Sequence, residues 1–93
     1  MLIRWEEDAL SDLVALRDYI RQDNPAAAQK IGRRIIECVN LLAEQPFLGQ
    51  PGRIHKTREF VVSKTPYIII YHATNEVISI LRIFHQAQQW TKK

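Results

Sequence analysis

Three side chains in the second half of the chain have the types that phosphodiester cleavage needs: Arg58, Arg82 and His85. Cleavage through a ribose 2′-hydroxyl takes a base for that hydroxyl, cations over the phosphorane charge and an acid for the leaving 5′-oxygen. Arg58 stands in the run TREFVVS. It either holds a phosphate or a partner's carboxylate, or pairs at a strand edge with Glu76 or a chain end. Arg82 stands between Leu81 and Ile83, and a charge inside an apolar strand must find water or a partner. An ion pair to Asp12 or Glu37 would satisfy it, and so would an anion from outside. His85 has the opposite strand parity to Arg82, so a regular strand sends the two side chains to opposite faces. A bulge or twist at the strand end would relax that restriction. His85 is then either a catalytic acid or base, or a hydrogen-bonding residue that closes the strand. His72 reads as a turn cap and His55 as a loop residue. Trp90, on a short tail, has the character of a binding hot spot or of a cover for the sheet edge.

The elements that must position these residues are legible from periodicity. Leu2, Ile3 and Trp5 open with a short strand. Glu6, Glu7 and Asp8 then suit a first helical turn, where the helix dipole favours negative charge. Leu10, Leu13, Val14, Arg17 and Ile20 recur at helical spacing, and the pattern stops at Gln22-Asp23. Asn24-Pro25 is a helix start: Asn caps, and Pro fits the first position because its missing N–H has no partner there. Ile31, Ile35, Cys38, Val39 and Leu42 form the second helix's apolar face, and Pro46 ends it. Two such helices with a short link form an antiparallel hairpin.

Residues 47–52 hold two glycines and a proline, a loop. Three strands follow, over 57–63, 67–71 and 77–84. Arg58, Phe60 and Val62 should share one face of the first. Ile78, Ile80, Arg82 and Phe84 should share one face of the last. Short connections predict an antiparallel meander. The order is β-α-α-β-β-β, an α+β fold of two layers with the hairpin on one side of the sheet.

Ninety-three residues suggest one domain, 1–93, with 86–93 as a tail. Residues 1–50 carry 6 Lys/Arg and 8 Asp/Glu, a balance of −2, while residues 51–93 carry 7 and 2, a balance of +5. A basic half invites an acidic protein segment or a nucleic acid. No apolar run approaches the roughly 20 residues that span a bilayer, and the start MLIRWEEDAL lacks a signal-peptide apolar region. A cytoplasmic protein with no membrane partner is expected. Cys38 is the single cysteine, which excludes an intrachain disulfide. No Cys/His cluster has metal-ligand spacing, so neither a metal nor a cofactor is expected.

An ordered set of motifs carries a family resemblance. Ala9-x-x-Asp12-Leu13 leads through Tyr19-Ile20 into Asn24-Pro25-x-Ala27-Ala28. Then follow Leu42-x-x-x-Pro46, Gly49, Arg58-Glu59-Phe60-Val61-Val62, Pro66-Tyr67-x-Ile69-x-Tyr71 and Ile80-Leu81-Arg82-Ile83-x-His85. Together these resemble the ParE branch of the RelE/ParE toxins of bacterial toxin–antitoxin systems, almost end to end. The resemblance implies a helical hairpin on a small antiparallel sheet, and a cognate antitoxin (ParD-like or another acidic C-terminal segment) wrapped over helices and sheet. Such pairs stabilise plasmids. RelE-like members cut messenger RNA on the ribosome, whereas ParE-like members poison DNA gyrase. Fold alone does not choose between those activities.

Two features favour gyrase. The middle strand, 67–72, has no Lys or Arg, which is thin for holding messenger RNA. The motif order also fits the ParE branch better. The expectation is a non-enzymatic toxin whose target contact includes Arg58, Arg82, His85 and Trp90. The antitoxin is expected on Leu13, Arg17, Ile20, Ile31 and Ile35. The alternative is a ribosome-dependent endonuclease with His85 as acid or base and Arg58 and Arg82 on the phosphate. A third reading is a non-toxic relative. ParE-like tails often carry a basic residue soon after the histidine, and here Gln86, Gln88 and Gln89 stand instead.

Overall fold

A computed structural model describes residues 1–87. In chain order the elements are β1 (Leu2–Trp5), α1 (Glu7–Asp23), α2 (Pro25–Glu44), β2 (Gln50–Pro51), β3 (Arg58–Val61), β4 (Tyr67–Ala73) and β5 (Val77–His85). The sheet order is β1-β5-β4-β3-β2. The meander β3-β4-β5 is antiparallel, as its short links require. β1 joins β5 in parallel, Leu2 opposite Val77 through Trp5 opposite Ile80. The sheet is therefore mixed, because a parallel pair needs a long crossover and the helix hairpin is part of one. The two-residue β2 extends the far edge from the 47–52 segment.

Both helices start and stop where their end residues demand. Asn24 Oδ1 accepts from the Ala27 N–H at 3.1 Å, with Pro25 opening α2. Glu7 and Asp8 lie in the first turn of α1 and Arg21 in its last, each matched to the dipole. The face α1 buries is turned from the expected stripe. Ala9 and Leu16 are buried, with Leu13 and Ile20 beside them, whereas Leu10 and Val14 are 47% and 58% exposed. α2 buries Ala28, Gly32, Ile35, Val39 and Leu42, one face at helical spacing. A Cβ on Gly32 would lie 3.1 Å from Cδ and Nε of Arg17, so the helices cross closely there.

The core lies between hairpin and sheet and includes Ile35, Val39, Leu42, Val62, Ile69, Tyr71, Ile78, Ile80 and Ile83. A second cluster of Ile68, Ile70 and Phe84, with Leu81 against it, lies on the other face of the sheet. One irregularity decides which residue faces which way. Ile70 pairs with Arg82 but Tyr71 pairs with Ile80, so Leu81 is an extra residue in β5. This bulge inverts the alternation. Ile78 and Ile80 face the helices, but beyond Leu81 it is Ile83 and His85 that do so. Arg82 and Phe84 face the opposite way, which corrects the single face predicted for Ile78, Ile80, Arg82 and Phe84. The face predicted for Arg58, Phe60 and Val62 agrees with the register, Arg58 opposite Tyr71 and Phe60 opposite Ile69.

Candidate binding surface

Arg82 is held by α1. Its Nε and Nη2 donate to the two oxygens of Asp12 at 2.8 and 3.0 Å, a two-pronged pair. Asp12 Oδ2 also accepts from the Ile83 backbone N–H at 2.9 Å. β1 ends opposite Ile80, so the β5 edge beyond it has lost its strand partner, and Asp12 closes one of the backbone donors left there. The guanidinium also lies 4.5 Å from the Phe84 ring centroid, on the face the bulge assigns to both. The Asp12 carboxylate keeps Arg82 protonated well above the ordinary arginine range, against a smaller opposing effect of burial. Of the two partners the sequence offered, Asp12 is the one used.

His85 ends β5 on the other face, opposite Tyr67. Its Nδ1 accepts from the Ala87 N–H at 3.1 Å, and its ring meets Tyr67 edge-on at 5.5 Å. Nδ1 thus serves as an acceptor, which leaves Nε2 as the ring's N–H. Asp12, Leu16, Tyr19, Tyr67, Ile83 and His85 line a groove of about 480 Å³ between α1 and the sheet. Burial, and then Tyr19, push the Tyr67 hydroxyl above its usual range.

Among the described residues, Arg58 pairs with neither Glu76 nor the N-terminal end. Its Nη1 donates to the Gly49 carbonyl at 2.7 Å, and its guanidinium lies 4.8 Å from the Phe47 ring centroid. Its strand partner is Tyr71, four residues along β4 from the Tyr67 that faces His85. At about 3.3 Å per residue and about 4.8 Å per strand spacing, the Arg58 and His85 backbones stand about 16 Å apart. Arg58, Arg82 and His85 are therefore not one constellation. Arg58 is anchored to the Gly49 loop, Arg82 to α1, and His85 faces away from Arg82. His72, expected to cap a turn, is instead a strand residue opposite Ser79. Trp90 lies outside the described residues.

The expected antitoxin contacts divide. Leu13 and Arg17 line a groove between the helices with Gly32, Arg33 and Ile36. Arg17 Nε is buried there with no hydrogen-bond partner among the described residues. Ile20 and Ile31 are partly buried against the core. Ile35 is wholly buried, so it has no surface to offer a partner. The second helix must turn that residue inward to cover the sheet. The exposed apolar side chains are instead Leu10, Val14 and Tyr19 on α1 and Ile36 and Leu41 on α2. Leu10 and Val14, with Glu7 and Asp18, line a further groove of about 430 Å³. The sequence put Leu10 and Val14 in the stripe of the first helix but not on its outward flank, because a 3.6-residue stripe is the same whichever flank of it faces the core.

The whole chain has close relatives. The family model described as the ParE toxin of the type II toxin–antitoxin system parDE matches residues 3–90. A protein of Sinorhizobium fredii named as a candidate toxin, Y4kP, is 46% identical over 88 residues, 95% of this chain and 91% of that protein. Toxin RelE2 of Caulobacter vibrioides is 41% identical over 84 residues, 90% of this chain and 93% of that one. The solved structure of a chromosomal ParDE toxin–antitoxin system from P. aeruginosa matches with a TM-score of 0.82 at 26% identity, covering 91% of this chain and 95% of its own.

Proposed function

The chain belongs to the ParE toxin family of type II toxin–antitoxin systems, and from that premise we propose that it is a non-enzymatic toxin that arrests growth by binding DNA gyrase. The observation that carries this reading is the dispersal of the three residues a nuclease would need. Phosphodiester cleavage needs base, acid and cations within hydrogen-bond reach of one phosphate. Arg58 and His85 stand about 16 Å apart by backbone geometry, and Arg82 is spent on Asp12. Surfaces that bind a protein target have no such convergence requirement. The target contact would then draw on Arg58, Arg82 and His85 as separate points rather than one constellation, with Trp90 assigned to it from the sequence alone.

A cognate antitoxin restrains the toxin in this reading. An amphipathic segment laid along α1 would cover Leu10, Val14 and Tyr19 by helix-in-groove docking, with Leu13 and Arg17 reached through the groove between the helices. Acidic residues in the antitoxin beyond the part laid on α1 would complement the basic second half of the chain. Acting as part of such a pair, the toxin would stabilise the replicon that encodes it.

The named relative RelE2 favours one rival, ribosome-dependent cleavage of messenger RNA. The decisive experiment has two arms. The purified chain is added to a gyrase supercoiling reaction, and messenger RNA 5′ ends are mapped after brief induction without antitoxin. Blocked supercoiling with accumulated cleaved DNA, and intact messages, is the expected result. Unimpaired gyrase together with cuts in phase with codons would overturn the proposal and make His85 a catalytic group.

A further inference from the structure

At the end of the sheet remote from His85, the segment 47–57 folds over β3 and β4 and frames an open cavity of about 450 Å³. That is within the range of roughly 300–1,000 Å³ typical of small-molecule sites. Its wall includes Phe47, His55, Lys56, Arg58 and His72, and no Asp or Glu among the described residues lines it. The nearest carboxylate along the chain, Glu59, alternates to the other face, opposite Ile70. Arg53 holds it there, through its backbone N–H at 3.0 Å and its side chain at 3.2 Å. Lys56 and Arg58 thus line one concavity, with His55 and His72 also in its wall and no carboxylate there among the described residues.

The turn that presents two of them is tightly built. The Ile54 carbonyl accepts from the N–H and the hydroxyl of Thr57, at 3.1 and 2.6 Å. The Thr57 carbonyl accepts from the Gly52 N–H at 2.7 Å. His55 and Lys56 sit at its tip, and Lys56 has φ of 69°. A turn that needs a left-handed residue at this position normally takes glycine. Lysine is strained there, and strain of this kind gathers at functional sites. Phe47 is 76% exposed, with the Arg58 guanidinium against its ring. An exposed aromatic ring beside clustered cations is how proteins hold a nucleic-acid base and its phosphate together.

We propose that this cavity binds a nucleotide unit, its phosphate held by Lys56 and Arg58 and its base stacked on Phe47. The unit is carried either on a single-stranded nucleic acid or as a free nucleotide. The site does not depend on gyrase being the toxin's target.

The test uses the full 93-residue chain made by cell-free synthesis, with fluorescence anisotropy of a labelled ten-nucleotide oligothymidylate and ATP as competitor. Binding should weaken about tenfold in both Lys56→Gly and Phe47→Ala, and should fall as salt rises. Lys56→Gly should melt no lower than the parent chain, because glycine relaxes the turn, so its lost binding cannot be lost folding. Competition by ATP assigns the site to free nucleotides, and binding of the oligonucleotide alone assigns it to a strand. Failure of both probes at low salt overturns the proposal, as does binding that survives both substitutions. Loss in Lys56→Gly with Phe47→Ala unaffected overturns the nucleotide assignment, since a bare anion needs no stacking ring.

Discussion

Tyr71 and Gly49 meet hydroxyl to amide at 2.9 Å, and the same hydroxyl donates to the Pro46 carbonyl at 2.7 Å. Tyr71 is fully buried in the middle of β4, so this one side chain ties the loop after α2 to the sheet. A Cβ on Gly49 would lie 2.7 Å from Cε1 and 2.9 Å from Cζ of that ring, inside contact distance. Gly49→Ala should therefore cost about 2 kcal/mol or more, since neither a core ring nor the loop backbone yields cheaply. At about 4–8 °C per kcal/mol the melting temperature falls by roughly 10 °C or more. Tyr71→Phe leaves a buried N–H and carbonyl unpaired and should cost about 1–3 kcal/mol. Thermal melting by circular dichroism checks both. Gly49→Ala melting level with the parent would show that the loop is not held against Tyr71.

Asp12 and Arg82 are unequal halves of their pair. Asp12 also closes the Ile83 N–H, which Arg82 has no part in. Arg82 has 40% of its side chain in solvent, so screening reduces what the ion pair is worth. Arg82→Met should destabilise by about 1 kcal/mol or less. Asp12→Ala should cost about 1 kcal/mol more, because it also orphans a backbone donor. Urea unfolding of the two variants gives the order, and equal losses would argue against the edge-capping role.

The buried phenols make stability sensitive to alkali. Burial pushes the hydroxyls of Tyr67 and Tyr71 above the ordinary value of 10.0; Tyr19 adds to the first, while the Gly49 amide and Arg58 partly offset the second. The unfolded chain therefore releases these protons at lower pH than the folded chain. Their contribution is fully present below about pH 10 and is lost as pH climbs through the folded-state values. Unfolding free energy should be level between pH 8 and 9.5 and decline above 10. Tyr67→Phe should make the decline shallower; an unchanged slope would remove Tyr67 from the account.

The antitoxin surface separates from the core by mutation. Leu10→Asp with Val14→Asp alters two exposed side chains and should leave the melting temperature within a few degrees. On the proposed docking it should weaken antitoxin binding at least tenfold by calorimetry. Ile35→Ala should instead destabilise by about 2–5 kcal/mol as a core truncation. Antitoxin affinity untouched by the α1 double variant would move the docking site elsewhere.

The sequence by itself determined the two helices and the four longer strands in their order, though not the two-residue β2 within the segment read as a loop. Asn24-Pro25 announced the second helix, because capping is a matter of a few adjacent atoms. Pro46 closed it for an equally local reason. The β-branched run at 67–71 and the alternation after Val77 were strands on any reading, and the motif order pointed to the ParE toxins. Arg82 was flagged as needing a partner because burial of charge is costly wherever it occurs, and Asp12 was one of two candidates.

What only the tertiary structure decided is direction. The Leu81 bulge, invisible to a count of alternating residues, inverts β5 and turns Arg82 and Phe84 away from the face of Ile78 and Ile80. The rotation of α1, set by packing against β5 and α2, exposes Leu10 and Val14 and buries Ala9. The parallel docking of β1, the fastening of Tyr71 to Gly49 and the basic cavity over β3 and β4 join residues far apart in the chain. Local propensity says where a helix or strand lies. Which neighbour a side chain meets is fixed only when the hairpin and the sheet close on one another.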